Sequence, residues 1–469
     1  MPPRIRTRPL IFAALTLGLQ LAGCAAVHPV NQPLREVDPD GGYRWGAGRR
    51  PDNDPGTLLI LTFSGGGARA AAFSYGVLEE LRRTEVRAPS GSRRMLDEVD
   101  FITGISGGSF TALSYALYGE RLFSEYERRF LKRDVDAALI ERALRPLNWG
   151  RFRSEIAADY YDEILFGGAT YGDLMTKGMP TAVVGTTAIS LGTRIAFAQG
   201  NFDVLCSDLR TFPLSQAAAA SSAVPVVLTP LTLRNYGGSC GYRLPPWAET
   251  GFRSREGAWP GNRFEQRLRA LQLLSNGRER PYLHLVDGGI ADNLGLYLII
   301  EELQELEASR AFRAAFGLGG LRRIAIIVVN AHSNPDLGWE KDPLPPPDIA
   351  LLLQAVSVPI DRYSYETLDA LQDLITEWTL RREAQRQAVH PAADALPAIE
   401  FSVVNVSFDE LPDAAERRYL LNLPTRLSLP PEDIDRLRAA AGQLLRGSAA
   451  FQKLVRDLSA DGGAARVAP

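Results

Sequence analysis

The chain has 469 residues, 45% of them hydrophobic and 23% charged, with a formal net charge of −3. That apolar share suits a globular protein with room for one large α/β domain or two ordinary ones, and it excludes a disordered chain. The near-neutral balance, with no long basic run and no interleaving of aromatic and basic residues, argues against nucleic acid as a partner.

Arg4, Arg6 and Arg8 give the N-terminus a basic start, residues 10–21 are an apolar stretch, and Leu21-Ala22-Gly23-Cys24 is a small-residue end. The pattern resembles a bacterial lipoprotein signal peptide. The resemblance implies that residues 1–23 are removed, that Cys24 becomes the acylated first residue, and that the protein is held in the cell envelope. Ala25 in place of Asp then favours the outer membrane. An ordinary secretory signal or an N-terminal anchor is the alternative, although the apolar run is short for a bilayer span. Each buried methylene of an acyl chain contributes roughly 0.8 kcal/mol, so two or three chains hold a protein on a membrane.

Residues 24–56 are rich in Pro, Gly, Asp and Arg without apolar periodicity and read as a flexible tether. From residue 57 the pattern alternates: strand 58–63, glycine turn, helix 70–83, strand 99–103, turn, helix 110–118, as a parallel sheet with crossover helices requires. Further strands are expected at 181–187, 194–199, 282–286, 324–330 and 399–406. Residues 120–166 and 241–280 read as insertions, the second carrying Trp247, Phe252, Trp259 and Phe264 among arginines, either as a lipid-contacting lid or as a buried insertion. One or two long helices are expected over 349–388. A final helix is expected over 430–458, capped by Ser428 with Pro430 or Pro431 in its first turn, ahead of a disordered tail at 459–469. Cys206 and Cys240 are candidates for a disulfide in an exported protein, two buried thiols being the alternative.

Three blocks carry chemistry. Phe63-Ser64-Gly65-Gly66-Gly67-Ala68-Arg69 lies where a strand ends and a helix begins, so its amides can converge on an anion or a developing oxyanion. It lacks the Gly-Lys-Ser/Thr ending of a P-loop. Gly104-Ile105-Ser106-Gly107-Gly108 follows an apolar strand and precedes a helix, the context of a nucleophile elbow, where small neighbours leave room for a strained serine. Here the Gly107 N–H is a natural oxyanion donor. Asp287, followed by Gly288 and Gly289, ends a strand and can meet the elbow on one edge of a parallel sheet as general base; a turn-forming Asp-Gly is the plainer reading of that block alone. Asp292 and Asn293 are read as shaping the loop after the base.

Together the blocks resemble the patatin-like phospholipase family, whose pattern runs Gly-Gly-Gly-x-Arg, Gly-x-Ser-x-Gly, Asp-Gly-Gly. Gln-Ala-Ala-Ala-Ala-Ser-Ser-Ala-Val-Pro at 216–225 is similar to a fourth family segment, Ala-Ser-x-Ala-x-Pro. The resemblance covers roughly residues 57–458, taken as one acyl hydrolase domain, and implies a three-layer α/β fold with a central, mostly parallel sheet. It further implies Ser106 as nucleophile, Asp287 as its base, and Gly65, Gly66 and Gly67 as the oxyanion hole with Arg69 nearby. Membrane lipids are then both anchor and substrate class, and no cofactor is expected.

Two rival readings stand beside it. Ser106, Asp287 and His332 occur in the chain order of an α/β-hydrolase triad. A catalytically silent lipid-binding lipoprotein on the same scaffold is the other. The four histidines form no metal-site spacing with Cys or carboxylates, His284 points to the face opposite Asp287, and His390 reads as loop.

Overall fold

The computed structural model describes residues 29–44, 53–88, 91–244, 263–308, 320–387 and 399–464. Its centre is an eight-stranded sheet. In chain order the strands are β1 (Thr57–Phe63), β2 (Val99–Ile105), β3 (Thr181–Ala188), β4 (Thr193–Ala196), β5 (Leu231–Arg234), β6 (Tyr282–Asp287), β7 (Arg323–Asn330) and β8 (Glu400–Ser407). They lie in the order β8-β7-β1-β2-β3-β6-β5, with β4 paired to β3. The pairings from β8 through β3 are parallel, whereas β4 and β6 run antiparallel to β3, and β5 antiparallel to β6.

Strands β1, β2, β3 and β7 are buried along their whole length, the condition for helices on both faces. Alternation along each strand sorts the side chains between two cores. Leu59, Leu61, Phe63, Ala325, Ile327 and Val329 join one, together with α1 (Gly67–Arg83) and α2 (Gly107–Tyr118). Leu58, Ile60, Ile324, Ile326 and Val328 join the other, under α3 (Leu296–Ala308) and α4 (Asp348–Gln387). The first core is closed by α5 (Pro431–Gly447) packing along α1. A three-layer α/β fold results. The segment 120–166 is helical and contributes Tyr126, Phe130, Tyr161 and Phe166 to the first core.

Several expectations are corrected. Residues 29–44 are no flexible tether: Gln32–Pro33 pairs with Ser207–Asp208, Asn31 is buried, and the Ala182 N–H donates to the buried Tyr43 hydroxyl at 2.7 Å. The C-terminal helix is two helices, α5 and α6 (Ala449–Ala464), broken at Ser448, so helix replaces disorder at 459–464. Ser428 does not cap α5, whose N-cap is Pro430; its hydroxyl accepts the Asp136 N–H at 2.8 Å. The strand expected over 194–199 stops at Ala196, and Gln199 starts a helix. Cys206 and Cys240 are bridged, with Cα atoms 5.4 Å apart. Cys24, Trp247, Phe252, Trp259, His390 and the last five residues lie outside the described residues, as does the side chain of Phe264. No helix among the described residues is long and apolar enough to cross a membrane.

Candidate active site

Strand β2 ends at Ile105 and α2 begins at Gly107, so Ser106 makes the whole reversal alone, at φ 49° and ψ −118°. A non-glycine residue in that region costs of order 1–3 kcal/mol and persists only where its surroundings hold it. Ser221 does the holding. The Ser106 N–H donates to Ser221 Oγ at 2.8 Å, and that hydroxyl donates to the Gly185 carbonyl of β3 at 2.7 Å. Gly107 admits no side chain, because a Cβ there would stand 1.9 Å from the Gly67 carbonyl oxygen of the neighbouring turn. This close approach brings the glycine turn and the elbow together. Gly104 and Gly108 are also close-packed, a Cβ standing 2.7 Å from Ser109 Cα of α2 and 2.6 Å from the Phe63 carbonyl oxygen of β1 respectively.

Asp287 reaches the same edge from an unexpected direction. Strand β6 is antiparallel to β3, with Asp287 paired to Thr186, one residue beyond the Gly185–Ile105 level at which β2 ends. The base therefore comes down onto the edge of the parallel strands rather than rising to it. The segment that supports Ser106 also fixes Asp287: the Asp287 N–H donates to the Ala223 carbonyl at 3.0 Å and the Gly288 N–H to the Ser221 carbonyl at 3.2 Å. Its carboxylate accepts the Gly289 N–H at 2.8 Å. Burial pushes the Asp287 carboxyl up from 3.8 to about 6, against the Gly289 hydrogen bond and the nearby Ser106 side chain, which favour the charged form.

The glycine turn is held by backbone contacts. Ser64 N–H donates to Val329, and the Gly65 N–H donates to the Asn293 carbonyl at 2.9 Å, so Gly65 has no amide left for an oxyanion. The N–H groups of Gly66, Gly67 and Gly107 meet no protein acceptor among the described residues. Gly66, at φ 136°, turns the chain in a way open to glycine alone. Arg69 is structural: buried, it donates to the carbonyls of Ala331 at 2.8 Å and Leu423 at 2.6 Å and to Thr425 Oγ1 at 3.1 Å. Burial lowers it to about 10, with Asp361 opposing.

His332 is buried beside the turn, but its Nε2 is 3.3 Å from Asp409 Oδ2 and its Nδ1 has no partner among the described residues. Burial lowers its pKa, aided by Arg69 and opposed by Asp409. Neither ring nitrogen hydrogen-bonds Ser106 or Asp287, as a triad would require of its imidazole. His284 is exposed on β6 and pairs with Thr232. Asp292 accepts the N–H groups of Leu296 and Leu298, and Asn293 donates to Ser364 on α4, so both shape the loop after Asp287. Among the described residues no group of His, Cys, Asp and Glu is placed to hold a metal.

The sequence model of the family described as patatin-like phospholipase matches residues 61–300, which contain Ser106, Asp287 and the glycine turn. The chain belongs to the patatin-like phospholipase family. As a member it is a lipid acyl hydrolase. No curated protein sequence matches the chain. Among solved structures, human GIVD cytosolic phospholipase A2 aligns with a TM-score of 0.43 at 13% identity, over 94% of this chain and 69% of that one. VipD from Legionella pneumophila aligns with a TM-score of 0.28 at 12% identity, over 95% and 80%. At such scores neither likeness bears on substrate or mechanism.

The residue that sequence reading missed is Ser221. Its signal was present, since the Ala-Ser-x-Ala-x-Pro pattern fits the block only with Ala220, Ser221, Ala223 and Pro225 and so singles out Ser221; Ser222 instead bonds back to the Ala218 carbonyl of its own helix at 2.8 Å.

Proposed function

We propose that the chain cleaves ester bonds of phospholipids or other long-chain acyl lipids through a Ser106–Asp287 dyad and an acyl-enzyme. The observation that carries this reading is that the strained Ser106 and the buried Asp287 carboxyl, pushed up to about 6, are fixed side by side at one sheet edge by the Ser221–Ala223 segment. A carboxylate at its ordinary pKa is a poor base for a serine hydroxyl; one raised toward neutrality remains ionised at pH 7 and holds a proton better.

Ser106 Oγ attacks the ester carbonyl carbon while its proton passes to Asp287. The tetrahedral oxyanion that forms is met by the N–H groups of Gly66 and Gly67 at the start of α1 and of Gly107 at the start of α2, where the helix dipoles add positive potential. Collapse breaks the C–O bond, and the leaving alcohol takes the proton back from Asp287. Water then enters, gives its proton to Asp287 and attacks the acyl-enzyme; the fatty acid departs as the proton returns to Ser106 Oγ.

Acylation of Cys24 and residence at the outer membrane belong to the same proposal, supported by the Leu21-Ala22-Gly23-Cys24 pattern. Long-chain ester and phospholipid-vesicle hydrolysis by wild type, Ser106→Ala, Asp287→Asn and His332→Ala tests the reading. Loss of at least a thousandfold in the first two with His332→Ala active is expected. Loss in His332→Ala with folding intact would mean a triad, and activity indifferent to Ser106→Ala would remove the hydrolase from this site.

A further inference from the structure

Helix α4 is the feature the chemistry does not use. Its C-terminal half packs on the sheet, with Trp378 against Phe401 near the strand starts, and Ser364 meets Asn293 at the catalytic edge. The helix then continues past that edge. None of residues 348–360 is buried, and from Ile349 to Ile360 the sequence Ile-Ala-Leu-Leu-Leu-Gln-Ala-Val-Ser-Val-Pro-Ile carries no charge. Ile349 is 69% exposed, Leu351 52% and Leu352 51%. Where this stretch returns to the edge, Arg362, Tyr363 and Tyr365 are exposed. An apolar tip followed by Arg and Tyr is the order in which side chains meet hydrocarbon and then headgroups. At 1.5 Å per residue, the fifteen steps from Ser364 to Ile349 carry the tip about 22 Å beyond the edge.

A second element reaches a similar height on the same side. Strand β6 runs antiparallel, so its start lies beyond the catalytic edge: Asp287 is level with Thr186, and Tyr282, five residues earlier, pairs with Arg234. At about 3.4 Å per residue, Arg234 stands about 17 Å past the edge. Asn31 is fastened there, exchanging hydrogen bonds of 2.8 and 2.9 Å with the Arg234 backbone. Cys24 precedes Asn31 by only seven residues, at most about 25 Å of chain.

We propose that the catalytic edge faces the bilayer in which Cys24 is anchored, and that residues 349–360 of α4 insert into that bilayer's headgroup region. The occupant is a lipid surface because the patch is uncharged, lies beside the site that takes acyl lipid, and is level with the point where the anchored segment leaves the body. This rests on the lipid-hydrolase reading above and on acylation of Cys24.

The test uses full-length chain carrying Cys24→Ser, so that no acyl anchor masks the contact, with vesicles of phosphatidylethanolamine and phosphatidylglycerol. Flotation is read in a Ser106→Ala background, independently of turnover, for Leu351→Glu/Leu352→Glu and the milder Leu351→Gln/Leu352→Gln. Expected are at least a tenfold loss of vesicle binding for the Glu pair, an intermediate loss for the Gln pair, and, with Ser106 present, at least a tenfold loss of vesicle hydrolysis with hydrolysis of a soluble short-chain ester within twofold of wild type. Unchanged flotation in both pairs overturns the proposal. So does a parallel loss on both substrates, or a change from dimer to monomer with flotation retained, which would assign the patch to a second copy. Flotation that depends on Leu351 and Leu352 in a chain that hydrolyses neither substrate would keep the bilayer contact and overturn the hydrolase reading alone.

Discussion

Asp287→Asn is expected to make the protein more stable and inactive at once, by an amount that depends on pH. The carboxyl sits at about 6 in the folded chain against 3.8 ordinarily. Below pH 3.8 it is protonated in both states and costs nothing. Between 3.8 and about 6 only the folded state keeps the proton, so stability falls as pH rises; above about 6 both states are ionised and the penalty is complete. At about 1.4 kcal/mol per pH unit, the full penalty is on the order of 3 kcal/mol. Asparagine is nearly isosteric: its oxygen accepts the Gly289 N–H and its amide donates to Ser106, with no charge to bury. The variant's advantage should grow from near zero at pH 4 to about 3 kcal/mol at pH 8. At about 2.1 cal/mol/K per residue for a chain of this length, that is a rise in Tm of about 3 °C. Thermal unfolding across pH 4 to 8 measures it, beside the wild-type pH–rate profile, whose kcat/KM should climb about tenfold per pH unit below about 6 and level above. A variant no more stable than wild type at pH 8, or one whose advantage is the same at pH 4, would refute burial as the origin of the raised pKa.

Ser221→Ala removes the acceptor of the Ser106 N–H and the donor to Gly185 together, leaving buried polar groups unpaired. A loss of about 1–3 kcal/mol in urea unfolding is expected, with kcat lowered about 10- to 100-fold and KM little changed, in steady-state kinetics on a soluble ester. Gly107→Ala forces a Cβ onto the Gly67 carbonyl and should abolish activity or folding, read by circular dichroism beside the assay. Cys206→Ala/Cys240→Ala opens a loop of sequence separation 34 and should cost about 2–4 kcal/mol in denaturant unfolding while leaving kcat near wild type.

The strands of the sheet centre were legible because a strand covered on both faces must be a continuous apolar run, as Leu-Leu-Ile-Leu at 58–61 is. Leu231–Arg234 was not: four residues are too few to show alternation against their surroundings. The direction of β6 was equally invisible, since a period of two reads the same both ways, and Asp287 was placed on the correct edge by way of a parallel strand that is antiparallel. Residues 29–44 have the composition of a tether and are held down by a few contacts, at Asn31, Tyr43 and the Gln32–Pro33 pairing, which composition averages away. At the site, the types of residue were legible and the assignment of backbone donors was not. Gly65, Gly66 and Gly67 are identical in sequence, and only the Asn293 carbonyl distinguishes the first from the others.

The most direct measurement is covalent: the protein is treated with a long-chain fluorophosphonate and the modified residue is located by mass spectrometry of the intact protein and its peptides. A single adduct on Ser106, absent in Ser106→Ala, slowed at least a hundredfold in Asp287→Asn and formed at the wild-type rate in His332→Ala, is the expected result. An adduct on another residue, or labelling of Ser106 that does not depend on Asp287, would contradict the dyad.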